Sequence, residues 1–499
     1  MKILNLLFFI VVLFTLAGCE KYLAEEPTKQ SVISTADQLE ALINNATLFA
    51  LDGNSGTNGS AGYSTDDTEV PLDAFKANPG AWSISNLDYY TFKTDDIIGL
   101  SSDPIWNGEY KKIFTANLVL ANLDNVTGDA ALKNELRADA HFIRAYCYWV
   151  LVNHFCLPYT TNSALKDVAG LGLPLKQSTD YEESFDRTTL KQTYDFIEAD
   201  LKEAQKTTKD DVDGTKPWRV SKKAIEALMS RYYLFLGNYD ESLIHTNNAL
   251  TSTTAVLVDW HTIVAGTQSN YTNPTATIIN SEFYDYSSGA KYLFWKEFYC
   301  PRFSYQSGQW LIPSTALRAL YDQSNDLRYK WLMLPNANRR FGLVGNFNLY
   351  RYAFFFDGRY IPTGPSVAEM YLNKAEILAR KNDIPNAMIA VNTLRAKRMN
   401  TAAPLVAIDQ PDAIKKILDE RRRELPFSFR WYDIRRFSVN DYPADDVTVT
   451  HTFFTVNPGG VDTTATQNYI LAPGSKRYAV PINGVEIMAS KNIIKQNQY

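Results

Sequence analysis

Two stretches decide the fold: Tyr233-Leu234-Phe235-Leu236-Gly237-Asn238-Tyr239-Asp240-Glu241-Ser242-Leu243 and Ile377-Leu378-Ala379-Arg380-Lys381-Asn382-Asp383-Ile384-Pro385-Asn386-Ala387. Each reads as a helix that stops at a short turn and restarts at once. The first belongs to a helical hairpin over Ser221 to Leu250, broken at Gly237-Asn238, because Gly suits the left-handed residue that ends helices. The second spans Val367 to Arg398, with Tyr371, Ala375 and Leu378 on one face, a break at Lys381-Asn382-Asp383 and a restart at Ile384-Pro385. Turn laid on turn, Gly237 falls opposite Lys381 and Asn238 opposite Asn382. Copies of one helix pair bury their apolar faces by stacking on each other.

These hairpins look like tetratricopeptide-type units, and the pattern continues upstream. Trp106, Tyr110, Ile113, Phe114, Leu118 and Ala121 recur at helical spacing from Pro104 to Leu123. Leu132, Leu136, Ala140, Ile143, Cys147 and Val150 carry a second helix to about His154, and Leu190, Tyr194, Ile197 and Leu201 a third over Thr188 to Lys206. The predicted fold is mainly α: a helical scaffold over about 104–250 and 366–436, with loop-rich regions and a few short strands at about 52–103 and 251–365. Trp106, Trp149 and Trp431 are assigned to packing.

The chain has 499 residues, 50 basic against 55 acidic, for a formal charge of −5. No clustered basic stripe occurs, which argues against nucleic-acid binding. Ile3 to Leu16 is apolar behind Lys2, the length of a signal-peptide core and too short to span a bilayer. It ends in Leu16-Ala17-Gly18-Cys19, which resembles the lipobox of bacterial lipoproteins and implies cleavage before Cys19, with lipid on its thiol. Several acyl chains on one residue anchor stably. Residues 1–18 are thus the signal, 19–35 a lipidated tether, and 36–499 a single body. Cys147 and Cys156 lie on one helix, roughly 13 Å apart and beyond disulfide reach. With Cys300 they are expected to be buried thiols.

No His-Glu-x-x-His, Gly-x-Ser-x-Gly or Gly-x-x-x-x-Gly-Lys occurs, and the five histidines are scattered. No catalytic residue, structural zinc or cofactor is expected. The pairs Asp66-Asp67 and Asp95-Asp96 are expected to be solvated or to cap helices, with Ca²⁺ binding left open. Aromatics, 13% of the chain, are the conspicuous chemistry. Flat rings stack on the C–H faces of sugars, while hydroxyls need polar neighbours such as Asn270 and Gln309. On this basis Trp82, Tyr286, Trp295, Tyr299, Tyr305 and Trp310, with Asn273 and Arg302, are the candidate ligand residues.

Near the C-terminus stands Asp419-Glu420-Arg421-Arg422-Arg423-Glu424-Leu425-Pro426-Phe427, followed by Arg430-Trp431-Tyr432-Asp433-Ile434-Arg435-Arg436. Glu420 and Glu424 lie one helical turn apart, so Arg423, Arg430, Arg435 and Arg436 are expected to answer them as an ion-paired clamp. The stretch resembles the signature of the SusD/RagB family, Glu-Arg-Arg-x-Glu-Leu-x-Phe-Glu-Gly-x-Arg-Trp-x-Asp-Leu-Arg-Arg, with Ser428-Phe429 replacing the longer link. Further resemblance runs through Lys21-Tyr22-Leu23, Arg137 to Tyr146, Ala227 to Leu234, Ala368 to Glu376 and Pro481-Ile482. The resemblance implies a non-catalytic lipoprotein on the outer face of an outer membrane. Such a protein binds glycans and delivers them to a SusC-like TonB-dependent transporter. Capture of peptides or another nutrient, or a transporter lid with no ligand of its own, are the alternatives.

Overall fold

The computed structural model describes residues 33–54, 61–93, 103–263, 265–266, 279–280, 291–306, 308–335, 343–345, 347–354, 360–401 and 403–499. The signal segment, Cys19 and most of the tether lie outside the described residues. Helices α1 (Ala36–Ile43), α2 (Leu72–Ala77) and α3 (Ile84–Tyr90) precede the long α4 (Pro104–Asn122) and α5 (Ala130–Phe155), then α6 (Leu190–Ala204). The hairpin α7 (Lys222–Phe235) and α8 (Tyr239–Ala249) is followed by the short α9 (Leu327–Leu332) and by the second hairpin, α10 (Val367–Arg380) and α11 (Ile384–Arg395). Helices α12 (Gln410–Glu424), α13 (Arg430–Phe437) and α14 (Gly484–Ala489) complete the set used below. The fold is helical and tetratricopeptide-like. Among the described residues no helix is long and apolar enough to cross a membrane.

The helices start where their caps permit. Side-chain oxygens of Asp103, Asp129, Thr189, Ser221, Asn238, Ser366, Asp383 and Asp409 accept first-turn N–H groups that have no partner within the helix. Helix α4 packs on α5 and α5 on α6; α8 packs on α10 and α10 on α12. The two hairpins therefore stack directly, although the whole insertion from 250 to 366 separates them in sequence. A buried bidentate pair, Arg231 with Glu369 at 2.7 Å through each nitrogen, ties α7 to α10.

The hairpin copies are real, but their register differs by one residue from the sequence alignment. Gly237 takes φ 74° and its N–H donates to the Leu234 carbonyl; Asn382 takes φ 62° and donates to Ala379. Gly237 thus corresponds to Asn382, not to Lys381. The turn demands a left-handed residue, which Gly and Asn adopt at less cost than Lys.

Among the described residues, four antiparallel ribbons decorate the helices: β1 (Ala265–Gly266) with β2 (Ile279–Asn280), β3 (Phe303–Tyr305) with β6 (Tyr360–Pro362), β4 (Met333–Leu334) with β5 (Arg351–Tyr352), and β7 (Val449–Asn457) with β8 (Gly460–Leu471). The last is the longest, and it lies beyond every region that sequence reasoning had assigned. Its inner face presents Val449, His451 and Phe453, and Phe453 meets Phe75 edge-on at 5.0 Å. Region 52–103, expected to carry strands, instead holds α2 and α3. Cys147, Cys156 and Cys300 are free and buried, and Trp106, Trp149 and Trp431 are all in the core.

The Arg/Glu stretch is a buried lattice in which Arg423 answers Glu420 as expected, while Arg430, Arg435 and Arg436 go to other partners. Glu420 is paired with Arg395 and Arg423 at 2.6 Å and with Arg328 at 2.8 Å. Glu424 is paired with Arg328 and Arg398, both at 2.9 Å. Arg430 instead grips Asp66 bidentately at 2.6 and 2.8 Å, and Arg436 holds Glu376 at 2.6 and 2.7 Å and Asp433 at 2.8 Å. Arg435 donates to the carbonyls of Cys156 and Tyr478, with no carboxylate. The cause is the turn between α12 and α13, where Phe427 adopts φ 63° and swings Arg430 to Arg436 onto a second helix. Burial alone would raise the Glu420 carboxyl, yet Arg328, Arg423 and Arg395 hold it well below the usual range.

Two outcomes follow from these buried charges. Glu424→Ala strips two buried guanidiniums of one partner each, leaving Arg328 on Asp326 and Glu420 and Arg398 on Glu297, and is expected to cost about 1.5–3 kcal/mol, read by urea unfolding; an unchanged midpoint would refute the lattice as a stabilising element. Asp103 caps α4 through Ile105 and Trp106 N–H at 2.8 and 3.1 Å, and burial pushes its carboxyl up to about 6. The folded state thus keeps this proton to higher pH than the unfolded chain does. The contribution of this one group to stability is full below about pH 4 and is lost as pH rises through about 6. Asp103→Asn keeps the cap without the charge and is expected to gain about 1–3 kcal/mol at pH 8 and nothing at pH 4; a gain independent of pH contradicts this.

Candidate functional site

The insertion between α8 and α10 is pinned to the scaffold by Arg302. Its guanidinium donates to Asp52 at 2.9 Å, to both oxygens of Glu109 at 3.1 Å and to the Phe49 carbonyl at 2.8 Å, while lying 4.4 Å from the Tyr146 ring centroid. Phe303 N–H donates to Ala50 and accepts through its carbonyl from Asp52, which continues β3 onto the N-terminal segment. Ser314 and Thr315 in turn bind Asp66 and Glu69. Loop regions 52–103 and 251–365 are thereby joined into one body, as ligand-bearing loops on a rigid scaffold require.

Most of the candidate residues that the structure describes are buried, and two of them, Arg302 and Trp310, bridge the loop regions. Trp310 is 1% exposed and stacks on Tyr63 at 4.4 Å and 20°. Trp82 packs against Phe75, Trp295 against Phe354, and the Tyr299 hydroxyl donates to Ala249 O at 3.0 Å. Trp82, Trp295, Tyr299, Trp310 and Arg302 are all buried. The four rings gain most by leaving water, so the core claims them, while Arg302 is held there by Asp52 and Glu109. Tyr286 and Asn273 lie outside the described residues. Tyr305 alone of the eight is seen half-buried at the surface.

Among the described residues of the insertion, half-buried tyrosines gather at two places, the first of them over the buried Tyr292. Tyr305 and Tyr360 face each other in the β3/β6 register, their centroids 5.2 Å apart, and Tyr292 stacks on Tyr360 at 5.1 Å and 13°. The second cluster escaped sequence reasoning. Helix α9 runs directly into β4, and β4 pairs with β5, so Tyr329 on α9 and Tyr350 before β5 come together with centroids 6.2 Å apart. Arg318 sits 4.6 Å from the Tyr350 centroid and donates to Thr315 Oγ1 at 3.3 Å. Burial, then the hydrogen bond that Tyr329 donates to Tyr350, pushes the Tyr329 hydroxyl up to about 12. Rings flanked by a planar multi-donor cation form a surface that can stack an apolar face and bind hydroxyls at its edge.

In the acidic pair Asp66-Asp67, Asp67 is fully buried and Asp66 half-buried, and both are taken up by ion pairs. Both carboxylates are taken up by Arg422 and Arg430, and Asp67 accepts from Phe427 N–H at 2.9 Å. Burial would raise Asp66, but Arg430 and Arg422 hold it down to about 2. Asp95-Asp96 falls outside the described residues. Among the described residues no three His, Cys, Asp or Glu side chains are placed to hold a metal.

Comparison with known proteins agrees with the geometry. Residues 21–234 match a family model described as "Starch-binding associating with outer membrane", and residues 367–499 match that of the SusD family. The chain belongs to the SusD/RagB family. A SusD-like protein of Formosa agariphila, P25, is 27% identical over 184 residues, a match that spans 34% of each chain. A SusD superfamily protein from Bacteroides thetaiotaomicron superposes over 93% of this chain and 100% of its own with a TM-score of 0.65 at 20% identity. A SusD-like carbohydrate-binding protein from Bacteroides vulgatus does so over 92% and 97%, TM-score 0.61, at 16%. A laminarin-binding SusD-like protein covers 93% and 99%, TM-score 0.59, also at 16%. At such identities the superpositions establish the fold of this SusD-family chain.

The division between core and surface rings is testable. Trp310→Ala is expected to cost about 3–5 kcal/mol in folding stability, whereas Tyr329→Ala, at a half-exposed site, stays within about 1 kcal/mol. Equal losses in thermal unfolding would contradict the distinction.

Proposed function

We propose that the chain is a cell-surface glycan-binding lipoprotein. It captures oligo- or polysaccharides and delivers them, without making or breaking bonds, to a SusC-like TonB-dependent transporter. Lipid on Cys19 holds it to the outer membrane, and the segment to residue 35 gives it reach. Family membership supports this reading, as do the carbohydrate-binding and laminarin-binding names of two proteins that share the fold. The observation that carries it is the half-exposed platform of Tyr329 and Tyr350 beside Arg318, on the insertion that Arg302 fastens to the helices. Ring faces supply stacking area and the guanidinium supplies donors, the division of labour that a pyranose ring needs.

Titration calorimetry of residues 20–499 against a panel of oligosaccharides and peptides tests the assignment. Glycan binding is expected, with Tyr329→Ala or Tyr350→Ala weakening it at least tenfold at an unchanged melting temperature. Binding of peptides alone would replace glycan with peptide as the cargo, and binding of nothing would leave a transporter lid.

A further inference from the structure

Away from the insertion, a cleft of about 390 Å³ opens between α4, the segment 174–185 and the C-terminal α14 region. That falls within the range of small-ligand pockets, roughly 300–1,000 Å³. Its floor is aromatic: Trp106, Tyr110 and Phe114 share one face of α4 at four-residue spacing. Tyr110 is fixed in place, its hydroxyl donating to the Pro174 carbonyl at 2.8 Å.

The facing wall is equally well built. Buried Asn117 donates to the carbonyls of Lys176 and Ser178 at 3.1 and 3.0 Å. The Tyr148 hydroxyl accepts from Lys176 N–H at 2.6 Å, and the Glu183 carboxylate gathers the N–H groups of Gln177 and Ser178. On this rigid segment Tyr181 lies over Phe114, centroids 5.6 Å apart and planes 24° apart, yet it remains 78% exposed. One face of Tyr181 is covered by the floor and the other is open to water.

Charge and polarity select the occupant. Lys111 and Lys176 are balanced by Asp180 and Glu486 around the cleft, so neither an anion nor a cation is favoured. Asn107, Ser178 and Asp180 put polar groups at the rim, which a purely apolar occupant would strip of water without return. A neutral molecule with an apolar face and hydroxyl edges satisfies both constraints.

We propose that this cleft is a second glycan-binding site, which takes a pyranose unit of a neutral oligosaccharide on the open face of Tyr181 with its hydroxyls against Asn107, Ser178 and Asp180. The ligand class rests on the function proposed above, but the site uses no residue of the Tyr329–Tyr350 platform. An array of neutral α-glucan, β-glucan, mannan and xylan oligosaccharides distinguishes the two. It is probed with the chain from Glu20 onward, with the Tyr329→Ala/Tyr350→Ala double variant, and with Tyr181→Ala in both backgrounds. The double variant is expected to keep some glycan binding, and adding Tyr181→Ala to reduce that remainder at least tenfold with the melting temperature unchanged. A remainder untouched by Tyr181→Ala, or a double variant that binds nothing, overturns the second site and leaves the platform standing. A parent chain that binds no glycan overturns both. Loss on Tyr181→Ala with the double variant at parental affinity supports the cleft and removes the platform.

Discussion

Everything in this fold hangs on a lattice of buried arginines and carboxylates. Glu376, Glu420, Glu424 and Asp433 are each held by at least two guanidiniums at 2.6–2.9 Å. A charge taken from water is tolerated only when paired in good geometry, and the loss of one partner costs more than the pair contributes. The constraint therefore acts on position. Arg328 comes from the insertion, Arg395 and Arg398 from the end of α11, Asp66 and Asp67 from the N-terminal loops, and all must meet α12 and α13 in one arrangement. Distant stretches of chain are thereby brought to fixed places, with Arg302 and its partners Asp52 and Glu109 playing the same part at the other end of the insertion.

That arrangement also fixes the platform to which the proposed function assigns glycan capture. Arg328, gripped by Glu420 and Glu424, belongs to the same short helix as Tyr329, and the Tyr321 hydroxyl donates to the Arg423 carbonyl at 2.7 Å. The platform is thus one residue from the lattice and inherits its rigidity. Preorganised rings bind without an ordering cost at the moment of capture. Tyrosine suits the place because a half-exposed ring can keep its hydroxyl in water or in a hydrogen bond while its face is apolar.

The helical scaffold was largely legible, since three- and four-residue spacing and side-chain caps are local signals, and α4 to α8, α10 and α11 stand where the pattern puts them. The β7–β8 hairpin was missed although Val449, His451 and Phe453 alternate with Thr450 and Thr452 ahead of Pro458-Gly459-Gly460, a pattern that was there to be read. The site was poorly legible. Tryptophans were favoured as ligand rings, yet Trp82, Trp295 and Trp310 fill the core, because the same large apolar area that grips a sugar is worth more inside. Tyr329, Tyr350 and Tyr181 carry no local mark, and only their exposure and neighbours distinguish them from the buried tyrosines.

The sequence by itself determined the family, the helical hairpins and the presence of the Arg/Glu stretch, because these depend on residues near one another along the chain. Only the tertiary structure decided which carboxylate each arginine serves, which residue takes the left-handed turn, and which rings face water. The ion pairs and the exposure of the rings turn on groups up to several hundred residues apart, as with Asp66 and Arg430. Their meeting follows from how the stacked helices and the insertion close on each other, which no local pattern records.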